Sequence, residues 1–175
     1  MTSTSPITLR AADAADAKAL HGLIAAALDE GHLLPRSFDE ITVHAARFVV
    51  AVRRRKIVGC AELAPLSGQL AEVRSLAVHP SARHQGIGTQ IVTELRRRAR
   101  RAGYEQLCVL THAPEYFTSF GFSIVPHLWV PEKIFTDGVS CAKFRACGQF
   151  AMVLPLDAPA DTPADRHTTI TLQIA

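Results

Sequence analysis

The most constraining feature of this chain is a run in its middle. The strand-like stretch Ala71-Glu72-Val73-Arg74-Ser75-Leu76-Ala77-Val78 is followed by His79-Pro80, by Arg83-His84-Gln85-Gly86-Ile87-Gly88, and then by a helix pattern. In that order, the amides at the helix start carry partial positive charge and have no partner inside the helix. The two glycines remove the side chains that would keep a ligand off the backbone, so the junction suits a phosphate group. Two glycines before a helix also fit a simple tight turn, and the wider pattern has to decide. No Gly-Lys-Ser/Thr follows the loop and the three-glycine spacing is missing, so neither the Walker loop nor the dinucleotide fingerprint is present.

Around this run the chain reads as alternating elements. Ile7 and Leu9 suggest a short strand, followed by a helix over residues 13–29 with Asp13 and Asp16 complementing its dipole and Gly31 closing it. Pro35 keeps Leu34 extended, Arg36 falls on the connecting loop, and Ser37 with Glu40 forms a capping-box pattern for a second helix. Residues 48–52 and 56–61 read as a hairpin with Arg53, Arg54 and Arg55 at a solvated tip. A strand over 70–79 leads through the loop to a helix over 88–102, with Ile91, Val92, Leu95, Ala99 and Ala102 on one face and Gly103 as its stop. A strand at 107–110, a helix at 114–120 and strands at 122–125 and 150–156 complete the series. The alternation from residue 70 onward implies a βαβ unit with partly parallel pairing.

At 175 residues, 48% hydrophobic and 20% charged, the chain fits one packed domain, taken as residues 1–156. From 157 to 175 Asp, Ala, Pro and Thr dominate, which predicts a flexible tail. Residues 1–6 lack a basic region followed by an apolar run, and no segment is apolar for about 20 residues, so a cytoplasmic location is expected. In that compartment Cys60, Cys108, Cys141 and Cys147 are expected to be reduced thiols. The net charge of +3 gathers in residues 53–56 and 96–101. The second cluster lies on the polar side of an amphipathic helix with no base-stacking platform, which disfavours a nucleic-acid module.

The loop matches the Arg/Gln-x-x-Gly-x-Gly/Ala pattern as Arg83, Gly86 and Gly88, and it resembles that of the GNAT superfamily of N-acetyltransferases. Leu76-Ala77-Val78-His79-Pro80 resembles the family's coenzyme strand, and Tyr116-Phe117 with Gly121-Phe122 its later aromatic segment. The resemblance covers roughly residues 7–156. It implies an α/β fold of the GNAT type: a mixed, largely antiparallel central sheet with a splayed parallel pair, flanked by helices. It also implies acetyl-CoA as cosubstrate and no metal. The pantetheine arm would pair with Leu76, Ala77 and Val78, and the pyrophosphate would take the loop headed by Arg83, on His84, Gln85, Gly86, Ile87, Gly88 and Thr89. The amide near Val78 would polarise the thioester carbonyl.

Direct attack by an amine needs a base. Glu72 is on the coenzyme strand and two residues from Arg74, hence on its face, which makes it the candidate base; a salt-bridge partner is its other reading. Many family members carry a tyrosine where this chain has Phe117, which cannot donate a proton. Tyr116 is adjacent but expected to point elsewhere, so Thr111 is the candidate acid. A closer resemblance, in Gly31-His32-Leu33-Leu34-Pro35-Arg36-Ser37, in the Glu72 strand and in residues 141–147, is to the short N-acetylglutamate synthase-like branch. A dicarboxylic acceptor needs cations, and guanidinium binds carboxylate in bidentate fashion, so Arg36 and Arg74 are the candidate substrate-binding residues. Lys133 and Lys143 are read as solvated. Gly138, Gly148 and Gln149 depart from the branch near Cys141 and Cys147, and zinc from two thiols is not expected. No kinase-like regulatory module is expected ahead of the domain. The expected partner is a small-molecule amine, L-glutamate first, with no nucleic acid and no membrane; a homodimer is left open. Other acceptors (a polyamine, a drug amine or a protein amino group) remain alternatives, as does a coenzyme-binding regulator without catalysis.

Overall fold

The computed structural model describes residues 5–29, 33–138 and 148–156. Seven strands form one sheet in the order β1-β2-β3-β4-β5-β7-β6. They are β1 (Thr8–Ala11), β2 (Phe48–Arg53), β3 (Lys56–Pro65), β4 (Leu70–Val78), β5 (Gln106–Thr111), β6 (Ser123–Val125) and β7 (Phe150–Pro155). Every neighbouring pair is antiparallel except β4 and β5. The helices are α1 (Ala17–Asp29), α2 (Phe38–Val43), α3 (Ile87–Arg101), α4 (Pro114–Thr118) and α5 (Pro131–Lys133). The expected mixed sheet with one parallel pair is therefore what the chain adopts. None of the described helices is long and apolar enough to cross a membrane.

Local chemistry explains the element ends. Asp13 accepts from the Ala15 amide at 2.8 Å and Asp16 reaches back to the Asp13 amide at 3.0 Å, a reciprocal cap that the sequence reading had placed inside the helix. A short 3-10 turn at Ala14–Asp16 intervenes, and α1 starts at Ala17. Ser37 caps α2 through the Glu40 amide, but the Glu40 carboxylate turns to Arg36, so only half of the expected box forms. The hairpin tip is tighter than expected, with Arg54 and Arg55 both at positive φ (49° and 63°).

Two helical layers cover the sheet. Ile87, Ile91, Val92, Leu95 and Ala99 of α3 pack on Val49, Ala61, Ala71, Val73 and Leu107. Ala102, expected on that face, is exposed at the helix end. On the opposite side Leu20, Leu23 and Ile24 of α1 and Ile41 of α2 pack on Phe48, Val50, Cys60 and Ala77. These clusters expose a break in β4. Ala71 and Val73 face α3, whereas Ala77, with the same odd parity, faces α1. The cause is one extra residue: Cys60 pairs with Ala77 and Glu62 with Arg74, so three steps of β4 oppose two of β3. Ser75 takes up the slack at φ 53°, which is a β-bulge.

Gly31, Lys143, Cys141, Cys147 and the 157–175 tail lie outside the described residues.

Candidate active site

The bulge sits where the sheet opens. β4 and β5 pair only at Leu70 with Gln106, Ala71 with Leu107 and Glu72 with Cys108. Beyond these three pairs β4 continues along β3 to Val78, while β5 follows β7 as far as Thr111. The His79 amide donates to Val58 of β3 at 2.9 Å. Strand groups alternate sides, so the backbone groups of Val78 and, two residues earlier, Leu76 face the opened edge. Their side chains pack on the α3 core. The backbone groups of Ala77, paired with Cys60, turn to β3 instead.

The opened edge ends at the glycine loop. His84 and Gly86 both take left-handed φ, 59° and 73°, which curls the chain ahead of α3, and left-handed residues are a component of the backbone nests that bind anions. Gly86 is the α3 N-cap and offers no side-chain cap, so the first-turn amides of Ile87, Gly88 and Thr89 keep their donors for another partner. Arg83 Nε donates to the Val78 carbonyl at 3.0 Å and ties the loop to β4. Gln85 is held from two sides, by Arg53 at 2.6 Å and by the Ser81 carbonyl at 3.1 Å. These bonds tie the loop to β2, to β4 and to the turn that precedes it.

Gly88 has a different reason from Gly86. A Cβ at Gly86 would meet nothing within 4 Å, so its left-handed φ explains the glycine there. A Cβ at Gly88 would lie 2.6 Å from the Tyr116 hydroxyl. Tyr116 therefore points at the first turn of α3. Phe117 and Phe120 hold its ring edge-on at 5.1 and 5.3 Å. Among the described residues its buried oxygen has no hydrogen-bond partner of good geometry, and burial raises the phenol above its ordinary value against an opposing contribution from Thr89. Thr111, at the end of β5, is buried and its oxygen accepts from the Ala113 amide at 3.0 Å, which fixes the turn into α4.

Charged groups gather on the other face of β4. Arg36 lies on the connecting loop as expected, and it is buried: Nη1 donates to the Ser75 hydroxyl at 2.9 Å, and Nη2 lies 2.8 Å from Glu40 and 2.9 Å from Glu62. Its side chain is 2% exposed and that of Glu62 1%. Burial works against the Arg36 charge, and the two carboxylates more than offset it, so its pKa is raised. Burial likewise opposes the Glu40 carboxylate, while Arg36, then Arg74, lower its pKa. Arg74 is half-buried beside them.

Glu72 is buried, and Lys133 Nζ donates to its Oε2 at 2.8 Å. Lys133 comes from the connection between β6 and β7 and is itself buried, against the expectation of a solvated lysine. The signal for it was faint: Val130, three residues earlier, anchors that segment against Leu70 and Cys108. Glu62 was also missed, although a lone carboxylate inside the apolar run Cys60-Ala61-Glu62-Leu63 marks a buried charge that must have a partner. Burial pushes the Cys60 thiol up to about 12 and raises Cys108 as well, which keeps both as inert thiols.

An opened strand edge, an amide nest at a helix start and a buried carboxylate beside cations suit acyl transfer from a phosphate-bearing donor to an amine. Comparison with known proteins agrees. Residues 44–124 match the acetyltransferase (GNAT) domain. An uncharacterized N-acetyltransferase of Chlorobaculum tepidum is 34% identical over 148 residues, covering 85% of this chain and 96% of that protein. An amino-acid acetyltransferase of Pasteurella multocida is 30% identical over 128 residues, and the aligned part spans only 29% of its length. Among solved structures, N-acetylglutamate synthase from Neisseria gonorrhoeae, complexed with coenzyme A and N-acetyl-glutamate, superposes with a TM-score of 0.78 at 25% identity, over 87% of this chain and 35% of that one. With its opened β4 edge and its near full-length relative, the chain belongs to the GNAT family of N-acetyltransferases and resembles the N-acetylglutamate synthase-like branch.

Proposed function

We propose that the protein transfers the acetyl group of acetyl-CoA to the α-amino group of an acidic amino acid, L-glutamate first, by direct attack on the thioester. The observation that carries the reading is the placement of Glu72, Arg74 and Ser75 together on one face of β4, at the point where β4 leaves β5, with Arg36 bonded to Ser75. On this reading a base and two guanidinium groups would lie beside the edge that offers amides to a thioester.

The His84–Thr89 amides would hold the coenzyme pyrophosphate and the Leu76 and Val78 backbone its pantetheine arm, with Arg83 keeping loop and strand in register. The acceptor enters as an ammonium. Glu72 takes one proton, directly or through a water, and the nitrogen lone pair forms the new N–C bond. The Val78 amide supports the carbonyl oxygen as charge develops there. The C–S bond breaks, and the sulfur takes up the second nitrogen proton, by way of Thr111 or water, to leave as the thiol. Arg74, backed by Arg36, would receive the side-chain carboxylate of the acceptor. The amino-acid acetyltransferase relatives and the N-acetyl-glutamate in the Neisseria gonorrhoeae complex support this choice of acceptor.

The test is thiol release from acetyl-CoA against L-amino acids, polyamines and a lysine peptide. Selective turnover of L-glutamate is expected, and preference for a polyamine or the peptide would overturn the acceptor assignment while leaving the acetyl donor in place.

A further inference from the structure

Glu72 must accept a proton to serve as the base, yet it is held in a contact that opposes this. The Lys133 ammonium lies 2.8 Å from its Oε2, and the two side chains are 9% and 5% exposed. A cation at that distance favours the charged carboxylate and weakens it as a base. Withdrawing the cation without replacing its counter-charge would strand a buried ammonium. The pair therefore opens at least cost when another anion takes the place of Glu72.

An α-amino acid supplies that anion by its own covalent structure. Its carboxylate is one carbon from its amine, so an amine placed to give its proton to Glu72 brings a carboxylate alongside Lys133. A polyamine, a drug amine or a lysine side chain brings none. Arg36 is poorly suited to the same duty, since Ser75, Glu40 and Glu62 already engage it from three different elements and it is the more deeply buried cation. Lys133 reaches the site from the connection between β6 and β7, whereas Arg36 reaches it from the connection between α1 and α2. Lys133 contacts β4 at residue 72, and Arg74 stands two residues further on the same face, about 7 Å along the strand, which gives the two ends of a dicarboxylic amino acid separate cations.

We propose that Lys133 selects for α-amino acids: its ammonium holds Glu72 as an ion pair until the acceptor's α-carboxylate takes it over, and that exchange leaves Glu72 to receive the ammonium proton. The inference rests on the reading of Glu72 as base and of an amino acid as acceptor.

The experiment compares kcat/KM of the parent, Lys133→Gln and Lys133→Arg on L-glutamate and its two mono-amides, the α-amide isoglutamine and the γ-amide glutamine. The parent is expected to favour glutamate over isoglutamine by about 10-fold or more, the scale on which a site rejects a substrate that leaves its polar group unpaired. In Lys133→Gln that ratio should fall to about 3-fold or less, with the ratio of glutamate to glutamine unchanged, while Lys133→Arg retains both. The acid limb of the Lys133→Gln profile should move to higher pH, since Glu72 loses its stabilising cation. A thermal shift on adding acetyl-CoA checks that each variant is folded. Equal losses on glutamate and isoglutamine in folded Lys133→Gln, or an unmoved acid limb, would overturn the proposal. A parent that prefers another α-amino acid overturns only the glutamate assignment, and the comparison is then made with that amino acid and its α-amide. A parent that turns over only polyamines or lysine peptides overturns both readings.

Discussion

Replacing Gly88 by alanine sets two effects of opposite sign against each other. Near the start of α3 the exchange gains about 0.5–1 kcal/mol of helix propensity. Against this, the new methyl would sit 2.6 Å from the Tyr116 hydroxyl, where ordinary contacts begin near 3.4 Å. The aromatic neighbours at 5.1 and 5.3 Å leave that ring little room, so relief has to come from backbone shift or a strained rotamer, at about 1–3 kcal/mol. The steric term wins, and a net loss of about 1–2 kcal/mol lowers Tm by about 2–8 °C in a domain of this size. Removing the hydroxyl removes the conflict, because the next Tyr116 atom is 3.6 Å away. Gly88→Ala in a Tyr116→Phe background should then be neutral or stabilising, a coupling of about 1–3 kcal/mol across the cycle. Thermal unfolding of the four proteins without coenzyme measures it. If Gly88→Ala is as stable as the parent, or costs the same in both backgrounds, the glycine is not there for Tyr116. Loss of acetyl-CoA affinity in both backgrounds without loss of stability would show instead that it serves the approach of the pyrophosphate.

Three further outcomes are expected. Glu72→Gln should lower kcat while leaving acetyl-CoA affinity nearly intact, and unchanged turnover would remove Glu72 from the base role. Glu62→Gln breaks a pair sealed from water and should cost about 3 kcal/mol, whereas Glu40→Gln, 35% exposed on the same arginine, should cost about 1 kcal/mol or less; equal Tm losses would refute the ranking. On α3, Arg97 and then Arg98 hold the Glu94 pKa at about 2, below its ordinary 4.5. A depressed folded pKa contributes stability that is present above pH 4.5 and lost as pH falls toward 2. The Tm gap between the parent and Glu94→Gln should therefore shrink over that window in low salt, and a constant gap would exclude this pair as its source.

Much of this fold could be read from periodicity and punctuation. The α3 stripe, the hairpin around Arg53–Arg55 and the strand-loop-helix run were legible because each depends on neighbours in sequence. The charges were harder. Arg36 with Glu62, and Glu72 with Lys133, join residues 26 and 61 positions apart, and no local pattern tells a buried lysine from a solvated one. The aim of Tyr116 at α3 was not legible either, because it is set by where α4 lies against α3, a tertiary fact. Period-2 reading put Glu72 and Arg74 on one face correctly, but it fails after Ser75, where an extra residue reverses the parity.

That extra residue divides labour within a single strand. On the proposed function, β4 would meet the acceptor through side chains ahead of Ser75 and the coenzyme after it through main-chain amides that any residue but proline supplies. On that reading, substitutions at 74 would retune which amine is accepted while donor recognition, written in the backbone and in the curl of the following loop, would carry over intact. A family built on this strand can diversify its acceptors one residue at a time without relearning its donor.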